Sequence, residues 1–284
     1  MTGPLLAVDA PSMLFRAFYA LPDSIVGPDG GPVNALLGAA NLILREVEAH
    51  EPRAVVLCFG PDAASYRTEL YPAYHADRPA IPDGLAPQWA DSGEFFEAFD
   101  WTVARSESLE ADDLLGTYAR REAEAGGLAL LLTGDRDMYQ CAGERVSVLY
   151  VRTGGKGAEE VTPEGVRERY GVDPEQVPDF IALRGDPADG LPGAKGVGPK
   201  TAAELLRRHG SLEQVLDNAI RESRPKLRGA LLDAREELLA FKEIATLRDA
   251  GFDRPPDRAT DWAGAAAAAR ERGMNRLAER LEAH

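Results

Sequence analysis

The chain has 284 residues and 44% hydrophobic content, enough apolar material for one large domain or two small ones. Its formal net charge of −15 argues against uniform attraction for nucleic acid, so the informative question is where the acids cluster. Met1–Val8 lacks a basic leader region and no run of about eighteen apolar residues occurs, so neither a signal peptide nor a membrane span is expected, and a cytoplasmic setting is. In that setting Cys58 and Cys141, both in apolar contexts, read as buried thiols rather than a disulfide.

In chain order, LLAVD (Leu5–Asp9) reads as a buried strand, and Pro11 opens an apolar-periodic helix toward Leu21. Pro28, Gly30 and Gly31 mark a loop, Val33–His50 has helical periodicity, and AVVLCF (Ala54–Phe59) is a second buried strand. The stretch from Gly60 to about Phe99 is rich in Pro and polar residues and carries no predicted element. WTVA (Trp101–Ala104) is a short strand, Leu109–Ala125 a helix opening with acids, and LALLLT (Leu128–Thr133) and Val146–Val151 are further strands. Strands alternating with helices predict an α/β fold with a central, mainly parallel sheet. After Thr162 short helices with Gly/Pro punctuation take over: Pro163–Tyr170, Pro174–Leu183, Pro199–His209, Ser211–Ala219 and Glu236–Leu247. The expected division is an α/β core over 1–161, a helical region over 162–250 and a C-terminal helical tail over 251–284 around the run Ala265–Ala269.

Acids recur where strands end or helices begin. Asp9 ends the first strand; Glu110, Asp112 and Asp113 open a helix; Asp135 and Asp137 follow a strand in TGDRD. Residues just beyond the C-termini of parallel strands converge on one crevice, so several carboxylates are aimed at one place. Asp186 and Asp189, spaced i, i+3 in GDPADGLPG, form a fourth group. Acids at a helix N-terminus also complement the helix dipole, and TGDRD could be a plain turn. The joint pattern favours a metal site, because like charges packed together need a cation and hard oxygen donors suit magnesium or manganese. Two such ions can activate water and stabilise the leaving oxygen of a phosphodiester.

In LPGAKGVGPKTAAELLRRH (Leu191–His209), Gly193, Gly196 and Gly198 precede a helix with Pro199 at its start and Lys200 and Thr201 in its first turn. Free N–H groups there suit a phosphate, so the segment reads as a helix-hairpin-helix gripping a DNA backbone, with a plain Gly-rich turn as the alternative. Pro199 interrupts a P-loop pattern, and no buried strand precedes it. The four histidines lack zinc-ligand spacing, and no G-x-S-x-G occurs.

Taken together, AVDAPSMLFRAFYAL, YRTELYPAYHADRP, LEADDLLGTYA, LLTGDRDMYQ and LRGDPADGLPGAKGVGPKTAAELL make the chain resemble the bacterial flap endonuclease and 5′→3′ exonuclease family, from Leu5 to Leu247. The family includes the N-terminal nuclease domain of DNA polymerase I; this chain ends before any polymerase domain, so a stand-alone nuclease is expected. The resemblance implies that Asp9, Glu110, Asp112, Asp113, Asp135, Asp137, Asp186 and Asp189 match metal carboxylates. It places Arg16, Arg67 and Arg78 as basic residues near the scissile phosphate and Tyr74 as an aromatic that can stack on a terminal base. Gly193, Gly196, Gly198, Lys200 and Thr201 fall in the phosphate grip, where relatives often hold a monovalent cation such as K+. A monomer acting on 5′ flaps, 5′ ends or branched DNA with two or more Mg2+ or Mn2+ ions is therefore expected.

Two positions depart from the family pattern. Gly60 stands where an aspartate ligand is usual, and His75 where a lysine is usual. Pro79–Phe99, where relatives often have a helical arch, is acidic. These departures raise the alternative of a weakened member that binds branched DNA without efficient cleavage. A ribonuclease of the related PIN type is a further rival, opposed by the helix-hairpin-helix.

Overall fold

A computed structural model describes residues 3–152 and 157–284. Strand β1 (Leu5–Asp9) runs straight into helix α1 (Ala10–Ala20), and α2 (Asn34–His50) returns to β2 (Ala54–Phe59). Helices α3 (Ser65–Leu70) and α4 (Ala86–Glu97) precede β3 (Thr102–Arg105), and α5 (Ala111–Glu124) leads to β4 (Ala129–Thr133). Strands β5 (Val146–Val151) and β6 (Ala158–Val161) close the sheet. Then come α6 (Pro163–Tyr170), α7 (Val177–Arg184), α8 (Pro199–His209), α9 (Leu212–Asp217), α10 (Pro225–Asp233) and α11 (Arg235–Ala245). Helices α12 (Trp262–Glu271) and α13 (Asn275–Glu282) end the chain.

The strand order is β3-β2-β1-β4-β5-β6, all neighbours parallel except β5 and β6. The expected mainly parallel α/β sheet is thus present. Strands β1, β2 and β4 are buried throughout, because both sheet faces are covered and neither can be polar. Leu5, Ala7, Val56, Cys58 and Leu131 face a core shared with α5 through α11. Leu6, Val8, Leu57, Phe59 and Leu132 face the opposite core, shared with α1, α2, α4, α12 and α13.

Two segments take places that sequence periodicity did not assign. In the Pro-rich interval, α4 buries Phe95 and Phe96 in the second core while its Trp89 lines the cleft described below. The C-terminal helices complete that same core through Ala265, Ala269, Leu277 and Leu281. The connection to them is pinned at the sheet edge by backbone bonds from Arg258 to Arg53 (2.8 Å) and from Asp261 to Phe99 (2.9 Å). Arg53, itself buried, pairs with the buried carboxylate of Glu122 and with Asp257.

Candidate active site and metal centre

The connections leave β1 and β4 toward opposite edges of the sheet, so the crevice between their C-termini is a topological switch point, where open α/β sheets bind ligands. Asp9 ends β1 there. Its carboxylate accepts from the Ser12 amide at 2.9 Å and from the Thr133 hydroxyl, at the end of β4, at 2.8 Å. Thr133 Oγ1 also accepts from the Asp135 amide at 3.0 Å, and Asp135 Oδ1 from the Asp137 amide at 3.0 Å. Ser12 Oγ accepts from the Gly134 amide (3.2 Å) and from Arg16 Nε (3.3 Å), while Arg16 Nη2 donates to the Gly134 carbonyl at 2.9 Å. Ser12 and Thr133 are therefore the residues that lock the two strand ends together. Sequence reasoning passed over them because neither carries charge; their signal is position, one turn past Asp9 and last in a buried strand.

The acids of LEADD divide by helical phase. Asp112 lines the cleft, a cavity of about 800 Å³, together with Asp9, Asp135, Asp137 and Asp189. Asp113 is fully buried and does not reach that wall. It accepts from the Glu110 amide (3.2 Å), the Arg248 amide (2.7 Å) and the Arg67 guanidinium (3.2 Å). Asp113 thus completes a capping box at the start of α5 with Glu110, and its oxygens are engaged by these three donors. Glu110 borders the cleft, but its oxygens are also engaged, by the Ala64 amide at 2.7 Å, Arg67 at 2.5 Å and the Tyr74 hydroxyl at 3.0 Å.

Tyr74 lines the cleft but is buried and stacked on His75, with ring centroids 3.8 Å apart. His75 is buried too, in the left-handed region at φ 55°. Its Nδ1 lies 2.6 Å from the Asp62 carbonyl and its Nε2 lies 3.1 Å from Asp189 Oδ1, so each ring nitrogen faces an oxygen acceptor. Arg78 bridges the same two residues, at 3.2 Å to Asp62 and 3.0 Å to Asp189. Asp62 is a third residue that sequence reasoning missed. Asp186 stands apart from the cleft lining, accepting from Arg184 (3.0 Å) and from the Ala188 amide (2.9 Å).

The electrostatics of this crevice are lopsided. Burial and then the neighbouring carboxylates push Asp112 and Asp137 well above the usual carboxylate range and Asp135 up to about 6. Burial raises Asp9 as well. Asp189 alone goes down despite its burial, because His75, Arg78 and Arg67 surround it with donors and positive charge. Crowded oxygen donors whose charge is incompletely offset form the donor set a hard divalent cation satisfies, so the residues fit such an ion. Those that could hold it are Asp9, Asp112, Asp135, Asp137 and Asp189, with Glu110 and Asp186 adjoining. Among the described residues no three acids close into a ready-made cage.

Gly60 has a steric reason. A Cβ there would lie 2.4 Å from the Leu109 carbonyl oxygen and 2.7 Å from the Glu110 backbone. The loop that delivers the LEADD acids is seated directly on this glycine.

The hairpin between α7 and α8 also sorts its residues. Gly193, at φ 65°, packs against Gly185, where an added Cβ would meet the amide nitrogen at 2.2 Å, so this glycine serves the turn. Ala194 and Val197 are buried anchors. Gly196, Gly198 and Lys200 are exposed, and Thr201 is half-buried. Gly198 caps α8 at φ −95°, with nothing near its missing Cβ. The fold itself does not demand glycine at Gly198; close approach from outside would.

Similarity to known proteins accords with this arrangement. Residues 4–171 match the family described as 5′-3′ exonuclease, N-terminal resolvase-like domain, and residues 172–257 match 5′-3′ exonuclease, C-terminal SAM fold. A 5′-3′ exonuclease of Mycobacterium tuberculosis is 39% identical over 236 residues, covering 76% of this chain and 74% of that protein. DNA polymerase I of Mycobacterium bovis is 38% identical over 255 residues, which are 89% of this chain but 28% of the polymerase. The chain thus spans under a third of the polymerase relative it matches. Among solved structures, the bacteriophage T5 5′-exonuclease with divalent zinc bound shares the fold at TM-score 0.70 and 18% identity, covering 98% of each chain. The catalytic core of Rad2 in complex with a DNA substrate does so at TM-score 0.65 and 14% identity, covering 99% of this chain and 90% of that one. With matches that run from residue 4 to residue 257 and a relative aligned over most of both lengths, the chain belongs to the 5′-3′ exonuclease family.

Proposed function

We propose that this chain is a divalent-metal-dependent, structure-specific 5′ nuclease that hydrolyses DNA phosphodiesters at 5′ ends or flaps. The observation that carries the reading is the convergence of Asp9, Asp112, Asp135, Asp137 and Asp189 on one cleft at the sheet's switch point, with Arg16, Arg67 and Arg78 beside them. Divalent ions, Mg2+ or Mn2+ by the all-oxygen donor set, supply Lewis acidity and lower the pKa of water. Arg78 and His75 hold Asp189 in place, and Arg78 brings positive charge to the cleft beside the carboxylates. Arg16 fixes the Gly134 carbonyl and with it the turn that carries Asp135 and Asp137. The exposed residues Gly196, Gly198 and Lys200 suit a backbone phosphate of duplex DNA, and backbone oxygens of that turn suit K+. The core over 1–161 and the helical region over 162–250 would then divide chemistry from duplex binding, with Asp189 joining them. A protein that binds branched DNA without cutting is the weaker reading, because five cleft acids remain despite Gly60.

The test is cleavage of a 5′-labelled flap substrate with magnesium, manganese or chelator, for the wild type and Asp135→Asn. Cleavage that needs metal and disappears in the variant supports the proposal. Metal-independent cutting, or wild-type rates from the variant, would overturn it.

A further inference from the structure

A second groove, of about 500 Å³, opens at the β5–β6 edge of the sheet next to the acid cleft. Arg136, Arg152 and Arg169 surround it together with Tyr139, Tyr150 and Tyr170. Arg136 lies between Asp135 and Asp137 in the chain. Tyr170 packs under Arg184, 5.6 Å from guanidinium carbon to ring centre, and Arg184 in turn holds Asp186. Through Arg136 the groove therefore adjoins the turn that carries Asp135 and Asp137, yet its charge is opposite.

Three guanidinium groups meet one carboxylate here, in a chain whose net charge is −15. Arg136 donates to the Tyr150 hydroxyl at 3.2 Å and lies 5.5 Å from that ring's centre. Arg169 lies 5.7 Å from the centre of Tyr139. Aromatic contacts orient a guanidinium without cancelling its charge. Glu159 pairs with both Arg152 and Arg169 and sets them side by side. Arg152 keeps 61% of its side-chain surface exposed, so packing does not explain its presence. Oriented, solvent-facing forks of this kind match phosphate oxygens.

We propose that this Arg/Tyr groove is a second DNA-backbone site, gripping phosphates of the duplex arm that passes the acid cleft toward the β5–β6 edge. The identity of the ligand rests on the nuclease reading. Binding through the groove does not, and the test below reads binding alone.

The experiment measures anisotropy of a labelled flap duplex in magnesium at several salt concentrations, with Asp135→Asn in every protein to prevent cutting. Arg136→Ala/Arg152→Ala should weaken binding by about tenfold and flatten the plot of log K against log salt by about 1.8, the loss of two phosphate contacts at roughly 0.9 each. Glu159→Gln should move the other way, tightening binding several-fold, because it frees two guanidiniums; loss of structure would not produce that sign. Arg120→Ala/Arg258→Ala makes the same charge change elsewhere and controls for net charge. The proposal is overturned if the groove variants keep the control's affinity and slope. Groove-dependent binding by a wild-type chain that never cuts would leave this inference standing and sink the nuclease reading.

Discussion

Replacing Asp135 by asparagine should make the metal-free protein more stable, although it removes a residue from the proposed centre. The variant keeps the oxygen that accepts from the Asp137 amide at 3.0 Å, so the turn survives. What it loses is a charge that folding forces into a crowded crevice. Burial and then Asp189 raise the carboxyl from its ordinary 3.8 to about 6. At ~1.4 kcal/mol per tenfold change in proton affinity, this costs about 3 kcal/mol when the group is ionised. The cleft opens to water, whose screening leaves roughly 1–2 kcal/mol. The sign follows from the raised folded value: the cost is absent below about pH 4, grows as pH rises toward 6 and is complete above that. In chelator at pH 7.5, urea unfolding should show Asp135→Asn ahead of wild type by that 1–2 kcal/mol, and the gap should close toward pH 4. Saturating manganese should invert the order, because a ligand that binds only the native state stabilises the protein holding it more tightly. A variant that is less stable than wild type in chelator, or a gap that ignores pH, would refute the claim that these acids crowd one another.

Arg67→Met leaves Glu110 and Asp113 as buried carboxylates without their guanidinium and should lower unfolding free energy by about 3–5 kcal/mol in urea; adding Glu110→Gln should recover part of it, and a loss below about 1 kcal/mol would contradict the buried triad. Gly60→Asp, which restores the family's usual residue, should destabilise by about 1–3 kcal/mol, because its Cβ lies 2.4 Å from the Leu109 carbonyl. Calorimetry in chelator checks this, and an unchanged melting temperature would show that the 109–110 loop yields freely. Lys200→Ala should reduce the salt slope of duplex binding by about 0.9 with no change in manganese affinity; an intact slope would return Gly196–Lys200 to a plain turn.

Much of this arrangement was legible in one dimension. Parallel strands covered on both faces must be apolar throughout, so LLAVD, AVVLCF and LALLLT stood out, and the convergence of the acid that ends the first of them with those that follow the third came from the rule that strand ends share a crevice. The glycine spacing before Pro199 likewise marked a turn offering free amides. Elements that owe their place to partners were less visible. The strand AEEV (Ala158–Val161) is polar and lies at the edge, and α4 and α12 carry weak periodicity because their apolar residues answer to a core built from distant segments. Composition showed that Glu110, Asp112 and Asp113 were acids; only the tertiary structure decided which face the cleft. An α-helix turns about 100° per residue, so adjacent acids point apart, and the fate of each depends on what the fold brings to it. Asp112 meets the other carboxylates, whereas Asp113 meets Arg67 from α3 and the Arg248 amide 135 residues further along the chain.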